Sequence, residues 1–409
     1  MLKNLISDLE QYASIGIFGF GMEGKSFYNF AQKYLPNTEL VIIDKNHPSC
    51  DENYLDKLDE VELIVKSPGI SLYNLGIDYK SYKFSSTTEL LLKHFKNQII
   101  GVTGTKGKST LVTLIDSLLK NAGKKSVLCG NIGTPAFDIL ENLDDETTIV
   151  MELSSHQLYH VNYSVHIAIL TNLFEEHLDY YKDVDEYYSA KFNIFLHQKK
   201  NDIFIYNLPQ KLTRGYNVHE NELKYNVDFN LQNGFIHKST LQILEKLKEI
   251  LALDDAVYLR TIQEFKTLPH RLEFVKNIKG VSYINDSIST IPQATIEAVK
   301  ILKNVDTLIL GGNDRGVHYD VLIDFLQKSD IDNIILFSDT GKKIYDALHV
   351  KEKQKGLFIQ NNLQESVKKA YNISRSIVLF SPAASSFNEY KNFIERGDEF
   401  KSLVNQLKG

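Results

Sequence analysis

Residues Gln98-Ile99-Ile100-Gly101-Val102-Thr103-Gly104-Thr105-Lys106-Gly107-Lys108-Ser109-Thr110-Leu111-Val112-Thr113-Leu114-Ile115-Asp116-Ser117-Leu118-Leu119 decide the fold. An apolar run enters a glycine turn, and a helical pattern leaves it. Strand, glycine loop, Lys-Ser and helix make the layout of a phosphate-binding loop. Its backbone N–H groups and the positive end of the helix face a polyphosphate. Lys108 would reach the β/γ-phosphates and the Ser109 hydroxyl would bind Mg²⁺, so ATP is the first candidate ligand. The spacing departs from G-x-x-x-x-G-K-S: Val102 stands where a glycine is usual, and the glycines fall at Gly104 and Gly107. The competing reading is a strand-to-helix turn without a ligand.

At 409 residues the chain is long enough for two or three domains. Hydrophobic content of 43% and charged content of 24% suit a globular protein with a sizeable core. A net charge of −6 leaves no electrostatic footprint for nucleic acid or an anionic membrane. Phosphates must then be bound locally, by loops and helix ends. Cys50 and Cys129 are the only cysteines, which excludes a disulfide framework or a cysteine metal cluster. The stretch Met1 to Glu10 makes a poor signal peptide, and no apolar run approaches ~20 residues. A cytoplasmic protein that binds neither nucleic acid nor membrane is expected; the oligomeric state is open, and a monomer is compatible.

Working outward from the loop, strand and helix patterns alternate in three blocks. In 1–94, Ile15-Gly16-Ile17-Phe18 enters Gly19-Phe20-Gly21-Met22-Glu23-Gly24, followed by a helix over Lys25 to Tyr34. A strand Leu40-Val41-Ile42-Ile43 then ends in Asp44, and Leu63-Ile64-Val65 runs into Ser67-Pro68-Gly69. This is a small doubly wound pattern. In 95–268, Thr148-Ile149-Val150-Met151 and Ile167-Ala168-Ile169-Leu170 read as buried parallel strands. In 269–409, strands are expected at 281–284, 307–310, 333–337 and 376–380.

Ligands of open α/β sheets sit beyond the carboxyl ends of strands. Gly19-x-Gly21-x-x-Gly24, with Asp44 twenty residues on, resembles a dinucleotide fingerprint; a nicotinamide dehydrogenase and a UDP-sugar site both stay open. Glu152, after a strand, is placed for a Mg²⁺ ligand, or alternatively for a helix N-cap. His177 is a metal ligand or a surface histidine. Lys191 lies in a helical stretch, 185–195, and reads as a solvated lysine or, with apolar neighbours on its helix face, as an amine of lowered pKa. Arg271, in Pro269-His270-Arg271, is a candidate for γ-phosphate charge, and Asp286, in Asn285-Asp286-Ser287, for a ribose hydroxyl. A helix dipole at the 385–388 turn would favour a carboxylate.

The ordered set resembles that of the Mur ligase family. It comprises Gly104-Thr105-Lys106-Gly107-Lys108-Ser109, Gly130-Asn131-Ile132-Gly133, Glu152-Leu153-Ser154-Ser155, Glu175-Glu176-His177-Leu178-Asp179, Lys191, Pro269-His270-Arg271 and Asn285-Asp286-Ser287. Within the family, Ser381-Pro382-Ala383-Ala384-Ser385-Ser386, Lys391-Asn392-Phe393 and Arg396-Gly397-Asp398-Glu399-Phe400 are similar to the C-terminal signature of its D-glutamate-adding members.

The resemblance implies three α/β domains: Rossmann-like at 1–94, P-loop ATPase-like at 95–268 and Rossmann-like at 269–409. It implies an ATP-dependent ligase joining D-glutamate to UDP-N-acetylmuramoyl-L-alanine through an acyl phosphate. Gly19, Gly21, Gly24, Lys45, Asn46, Ser67, Gly69, Asn131 and His177 would bind the UDP substrate. Gly104, Thr105, Lys106, Gly107, Lys108, Ser109, Thr110, Arg271 and Asp286 would bind ATP. A pair of Mg²⁺ ions would be held by Ser109, Glu152, His177 and a carbamate on Lys191, and Thr290, Arg315, Ser386, Phe387 and Phe393 would surround the amino acid. Lys108, Glu152, His177, Lys191 and Arg271 would carry the chemistry. Alternatives are a sister ligase for L-glutamate or another amino acid, a P-loop ATPase without ligase activity, and a nucleotide-sensing module. The chain departs from the family at His237-Lys238-Ser239-Thr240-Leu241, where His-Asn-x-x-Asn is usual, and at Ile288, where a lysine is usual. Arg315 replaces another usual lysine and binds carboxylates well.

Overall fold

The computed structural model describes residues 1–131, 133–177, 180–225, 236–349, 356–387 and 389–408. Ile132, Leu178, Asp179 and Asn388 of the motifs quoted above lie outside the described residues. The chain divides into two compact units: Met1–Asn226 with Lys238–Gln263, and Val227–His237 with Glu264–Gly409.

The first unit holds two parallel sheets. Strands β1 (Ser14–Phe18), β2 (Glu39–Ile43), β3 (Leu63–Lys66) and β4 (Phe84–Ser85) form a sheet of order β2-β1-β3-β4. Strands β5 (Ile99–Thr103), β6 (Ser126–Gly130), β7 (Thr148–Glu152), β8 (Ile167–Leu170), β9 (Ile203–Tyr206) and β10 (Tyr216–Asn217) form a second, of order β10-β9-β8-β5-β7-β6. All five residues of β5 are buried, as expected of a parallel strand covered on both faces. One core runs under both sheets. Phe27 and Phe30, on the helix Met22–Tyr34, pack edge-on against Phe137 at 5.2 and 5.0 Å, and all three rings are buried. Each such ring stabilises by roughly 1.5–3 kcal/mol through burial.

The second unit holds β11 (Glu273–Ile278), β12 (Val281–Asn285), β13 (Val305–Gly311), β14 (Asn333–Phe337), β15 (Gly356–Gln360) and β16 (Ile377–Phe380), in the order β11-β12-β16-β13-β14-β15. All its pairs are parallel except β11 with β12. That hairpin turns through Lys279 and Gly280, at φ 52° and 86°. Two left-handed residues match the twist of the flanking strands. β11 escaped the sequence reading because it is a half-buried edge strand with Glu273, Lys276 and Asn277 among its residues.

Element ends differ from the sequence expectation where glycine loops are involved. The helix after the first glycine loop starts at Met22 rather than Lys25, directly after Gly21. Glu152 is the last residue of β7, and the cap of the next turn is Ser154, whose hydroxyl accepts the Gln157 N–H while Gln157 accepts the Ser154 N–H. The N-cap reading of Glu152 therefore fails. Among the described residues of the 385–388 turn no helix starts; the next helix is Phe393–Gln406, capped by Asn392. Gly24 packs against the Gly19 carbonyl so closely that a Cβ would fall under 3.0 Å from backbone. Gly24→Ala should therefore cost about 1–3 kcal/mol by overpacking, read as a lower urea midpoint at unchanged m-value; an unaltered midpoint would contradict it.

Candidate active site

The phosphate loop joins β5 to the helix Lys108–Asn121, with Gly107 at φ 83° as its cap. Gly104 sits at φ 140°, and a Cβ there would meet Thr171 Oγ1 well under 3.0 Å. Only glycine permits that approach. The end of β8 then braces the loop: Asn172 Oδ1 accepts the Lys106 N–H at 2.8 Å, and the Thr171 hydroxyl donates to the Lys106 carbonyl at 2.7 Å. Thr105 N–H donates to the Asn172 carbonyl at 3.0 Å, and Thr105 Oγ1 meets the Tyr187 hydroxyl at 3.1 Å. Sequence reading passed over Thr171 and Asn172, although both stand at the end of a predicted strand.

Three expected cations meet this loop. Lys108 Nζ donates to the Gly104 and Thr105 carbonyls at 2.9 and 3.0 Å. Lys191, from the helix Val184–Leu196, is 2% exposed and donates to the Gly104 carbonyl at 2.9 Å. Its ammonium also lies over the Tyr187 ring, 4.7 Å from the centroid. Burial, aided by the Lys108 charge, pushes its pKa well below the usual lysine range. Lys106 is paired with Glu176 at 2.7 Å. Ser109 is buried in the first turn of the helix and Thr110 follows it, half-buried.

Glu152 is 1% exposed. Asn131 donates to its Oε1 at 2.9 Å. Its Oε2 is buried and accepts no hydrogen bond among the described residues. A buried carboxylate oxygen left without a donor is costly, and a cation would satisfy it. The donor set thus fits Mg²⁺, a hard ion that takes oxygen ligands and few protein groups. No trio of His, Cys, Asp and Glu gathers among the described residues, so such an ion would rest on Glu152 and Ser109 together with phosphate oxygens. His177 sits at φ 61° beside Glu176, with its ring 4.7 Å from that of His156. Burial, with the charges of His177 and Lys191, pushes the His156 pKa down to about 3, so His156 packs there as a neutral ring.

The first glycine loop is built by the same device. Gly19 is at φ 92°, and a Cβ there would crowd Ser67, whose hydroxyl donates to the Gly19 carbonyl at 2.6 Å. Gly21 caps the following helix. Asp44 serves this loop's own backbone, its Oδ2 accepting the Phe20 N–H at 2.7 Å and its Oδ1 the Asn46 N–H at 2.8 Å. Lys45, Asn46 and Gly69 are exposed. Under Ser67-Pro68-Gly69-Ile70 lies Lys66, which the motif reading missed. It is 4% exposed, donates to the Ser67 and Ile70 carbonyls at 3.2 and 3.0 Å, and is lowered by burial to about 8. The Tyr180 hydroxyl donates to the Pro68 and Ile70 carbonyls at 2.9 and 2.8 Å, tying this loop to the His177 segment.

In the second unit the expected residues cluster at the carboxyl ends of β12, β13 and β16. Thr290 is half-buried, Ser386 is buried, and Phe393 opens the last helix. Arg315 is exposed and stacks on the exposed Phe387 ring at 5.1 Å. A guanidinium held over a ring keeps its edge for a carboxylate. Ile288 is half-buried and gives its N–H to the His270 carbonyl at 3.2 Å. Arg271 is half-buried and Asp286 is fully buried. Asp286 accepts the Ser289 and Ser381 hydroxyls at 2.5 and 2.8 Å and the Leu272 N–H at 3.2 Å. Both its oxygens therefore hold loops together.

Burial raises the Asp286 pKa from 3.8 to about 6. A carboxyl raised on folding contributes stability that is complete below its unfolded value and lost as pH rises through its folded one. The stability of wild type relative to Asp286→Asn should thus fall by on the order of 2–3 kcal/mol between pH 4 and pH 7. Denaturant titrations of both proteins across that window test this; a pH-independent difference would contradict it.

Residues 102–266 match the Mur ligase middle domain. The chain is 31% identical to the UDP-N-acetylmuramoylalanine–D-glutamate ligase of Clostridium botulinum strain Hall, over 98% of each chain. It is 32% identical to that of Clostridium perfringens strain 13, over 87% of this chain and 85% of the relative. Among solved structures it resembles the MurF ligase of Thermotoga maritima in complex with ADP, at a TM-score of 0.57 and 17% identity, over 96% of this chain and 95% of that one. With a phosphate loop, a strand-end carboxylate and a buried lysine in the expected places, and this identity along almost its whole length, the chain belongs to the Mur ligase family.

Proposed function

We propose that this protein is an ATP-dependent ligase that adds D-glutamate to UDP-N-acetylmuramoyl-L-alanine, in the cytoplasmic synthesis of peptidoglycan precursor. The full-length identity to D-glutamate ligases carries this reading. The strand-end chemistry supports it. Residues 1–94 would take the UDP end through Gly19, Gly21, Gly24, Lys45, Asn46, Ser67 and Gly69, with Asn131 and His177 reaching the muramoyl part. Residues 95–268 would take ATP on Gly104 to Thr110. Residues 269–409 would take glutamate on Thr290, Arg315, Ser386, Phe387 and Phe393, with Arg271 near phosphate. Among the described residues no helix is long and apolar enough to cross a membrane.

The chemistry follows from the poor leaving ability of oxide. An acceptor carboxylate oxygen attacks the γ-phosphorus of ATP, the bond to the β-phosphate oxygen breaks, and ADP leaves. The glutamate amine then attacks the acyl carbon, the tetrahedral intermediate collapses, phosphate departs and the amine proton goes to solvent or base. Lys108 would stabilise charge on the transferring phosphoryl group, a role the family resemblance also gives Arg271. One Mg²⁺ held by Ser109 and Glu152, and a second held by His177 and Lys191 as a carbamate, would supply Lewis-acid charge neutralisation there. Burial supports the carbamate: it keeps part of the Lys191 amine neutral, and only the neutral amine adds CO₂, losing one proton as the N–C bond forms.

The test is phosphate release from ATP with UDP-N-acetylmuramoyl-L-alanine and a panel of amino acids. D-Glutamate alone should stimulate it. Stimulation by L-glutamate or another amino acid, or equal release without acceptor, would overturn the reading. In the same assay Lys108→Ala should lose roughly 10²–10³ in kcat, the worth of one electrostatic donor; unchanged turnover would remove Lys108 from the mechanism.

A further inference from the structure

Arg396 lies in the first turns of the helix Phe393–Gln406 and is fully buried, at 0% exposure. Its recorded acceptors are all neutral: Nε donates to Ser287 Oγ at 3.1 Å, Nη2 to the Ser287 carbonyl at 2.8 Å and Nη1 to the Ala384 carbonyl at 3.0 Å. No carboxylate among the described residues forms an ion pair with it. The Ser287 hydroxyl in turn donates a hydrogen bond to the Phe393 carbonyl at 2.8 Å. The third strand-end loop enters through Gly312, at φ 150°, where a Cβ would meet Arg396 Nη1 and the Ser385 carbonyl under 3.0 Å. One guanidinium thus touches the loops after β12, β13 and β16 and reaches, through Ser287, the start of its own helix. Those segments carry Thr290, Arg315, Ser386, Phe387 and Phe393.

Glu389 acts on this guanidinium only through space, without a direct ion pair, and a buried cation so held is a costly way to join three loops where apolar packing would be cheaper. What a planar guanidinium adds is fixed direction: its donors lie in one fork, so the acceptors around it are held at set angles. We propose that Arg396 is a positioning residue for the amino-acid substrate, setting the spacing of the strand-end loops that receive it. The proposal rests on the ligase reading above, but its own variable is the affinity for the amino acid. Misplacing binding loops by about 1 Å is enough to change kinetics by tenfold or more.

The decisive comparison is Arg396→Lys, which keeps the charge and loses the fork. Its KM for D-glutamate should rise about tenfold or more, while the KM values for ATP and for the muramoyl acceptor stay within about twofold and the melting temperature stays near wild type. A purely structural residue would lower the melting temperature and the active fraction and leave the KM of the remaining enzyme unchanged. Should Arg396→Lys fail to fold, Ser287→Ala takes its place: it removes one acceptor of the clamp and should raise the same KM by roughly two- to tenfold, the worth of one hydrogen bond. An unchanged amino-acid KM in folded Arg396→Lys, or in Ser287→Ala, overturns the proposal. If the wild-type enzyme responds to a different amino acid, the ligase reading is corrected, and the KM for that amino acid becomes the readout for Arg396.

Discussion

The approach of Gly104 to Thr171 is the contact on which the nucleotide end of this molecule depends. Because no side chain stands at Gly104, β5 can deliver its loop onto the end of β8, where Thr171 and Asn172 take up the loop's polar backbone groups. The loop's curvature is then held by a neighbouring strand as well as by its own glycines. The Gly104 carbonyl is in turn the acceptor shared by Lys108 and Lys191. Two amines on one carbonyl repel one another, and that repulsion together with burial is why Lys191 is driven toward its neutral form. Glu152 lies at the end of the adjacent strand β7, with one oxygen that accepts no hydrogen bond among the described residues.

The second unit solves a related problem without a phosphate loop. Its strand-end loops are held from beneath by two buried ionisable groups, Asp286 and Arg396, each bonded to hydroxyls and backbone and neither paired with the other. Gly397 adds a steric part: a Cβ there would fall under 3.0 Å from the ring of His270, so the helix start and the His270-Arg271 turn fit only without one. The residues that would face a substrate, Arg315 and Phe387, are the exposed ones, and the residues that place them are hidden.

Much of this was legible in the chain. Strands read as apolar runs, such as Ile167–Leu170 and Asn333–Phe337, appear at those residues, because strands buried on both faces advertise themselves by composition. β11 did not, since an edge strand has polar residues like those of a loop. Of the site, Lys108 and Glu152 were singled out by loop pattern and strand-end position, and Lys191 only by the family resemblance. Lys66, Asn172, Tyr180 and Arg396 were not, because each acts on backbone groups, which carry no residue-specific signal, and all but Lys66 reach groups distant in sequence.

By itself, then, the sequence determined the α/β class, the position of the phosphate loop, and membership of a ligase family, all properties written in local order and spacing. Only the tertiary structure decided that Asp44 holds its own loop's backbone, that Asp286 joins its loop to Leu272 and Ser381, that Glu152 closes its strand instead of capping a helix, and that the helix expected at the 385–388 turn begins at Phe393. The reason is physical: whether a carboxylate is available to a ligand depends on which donors the fold brings within about 3 Å of it, and those donors come from elements far apart in the chain.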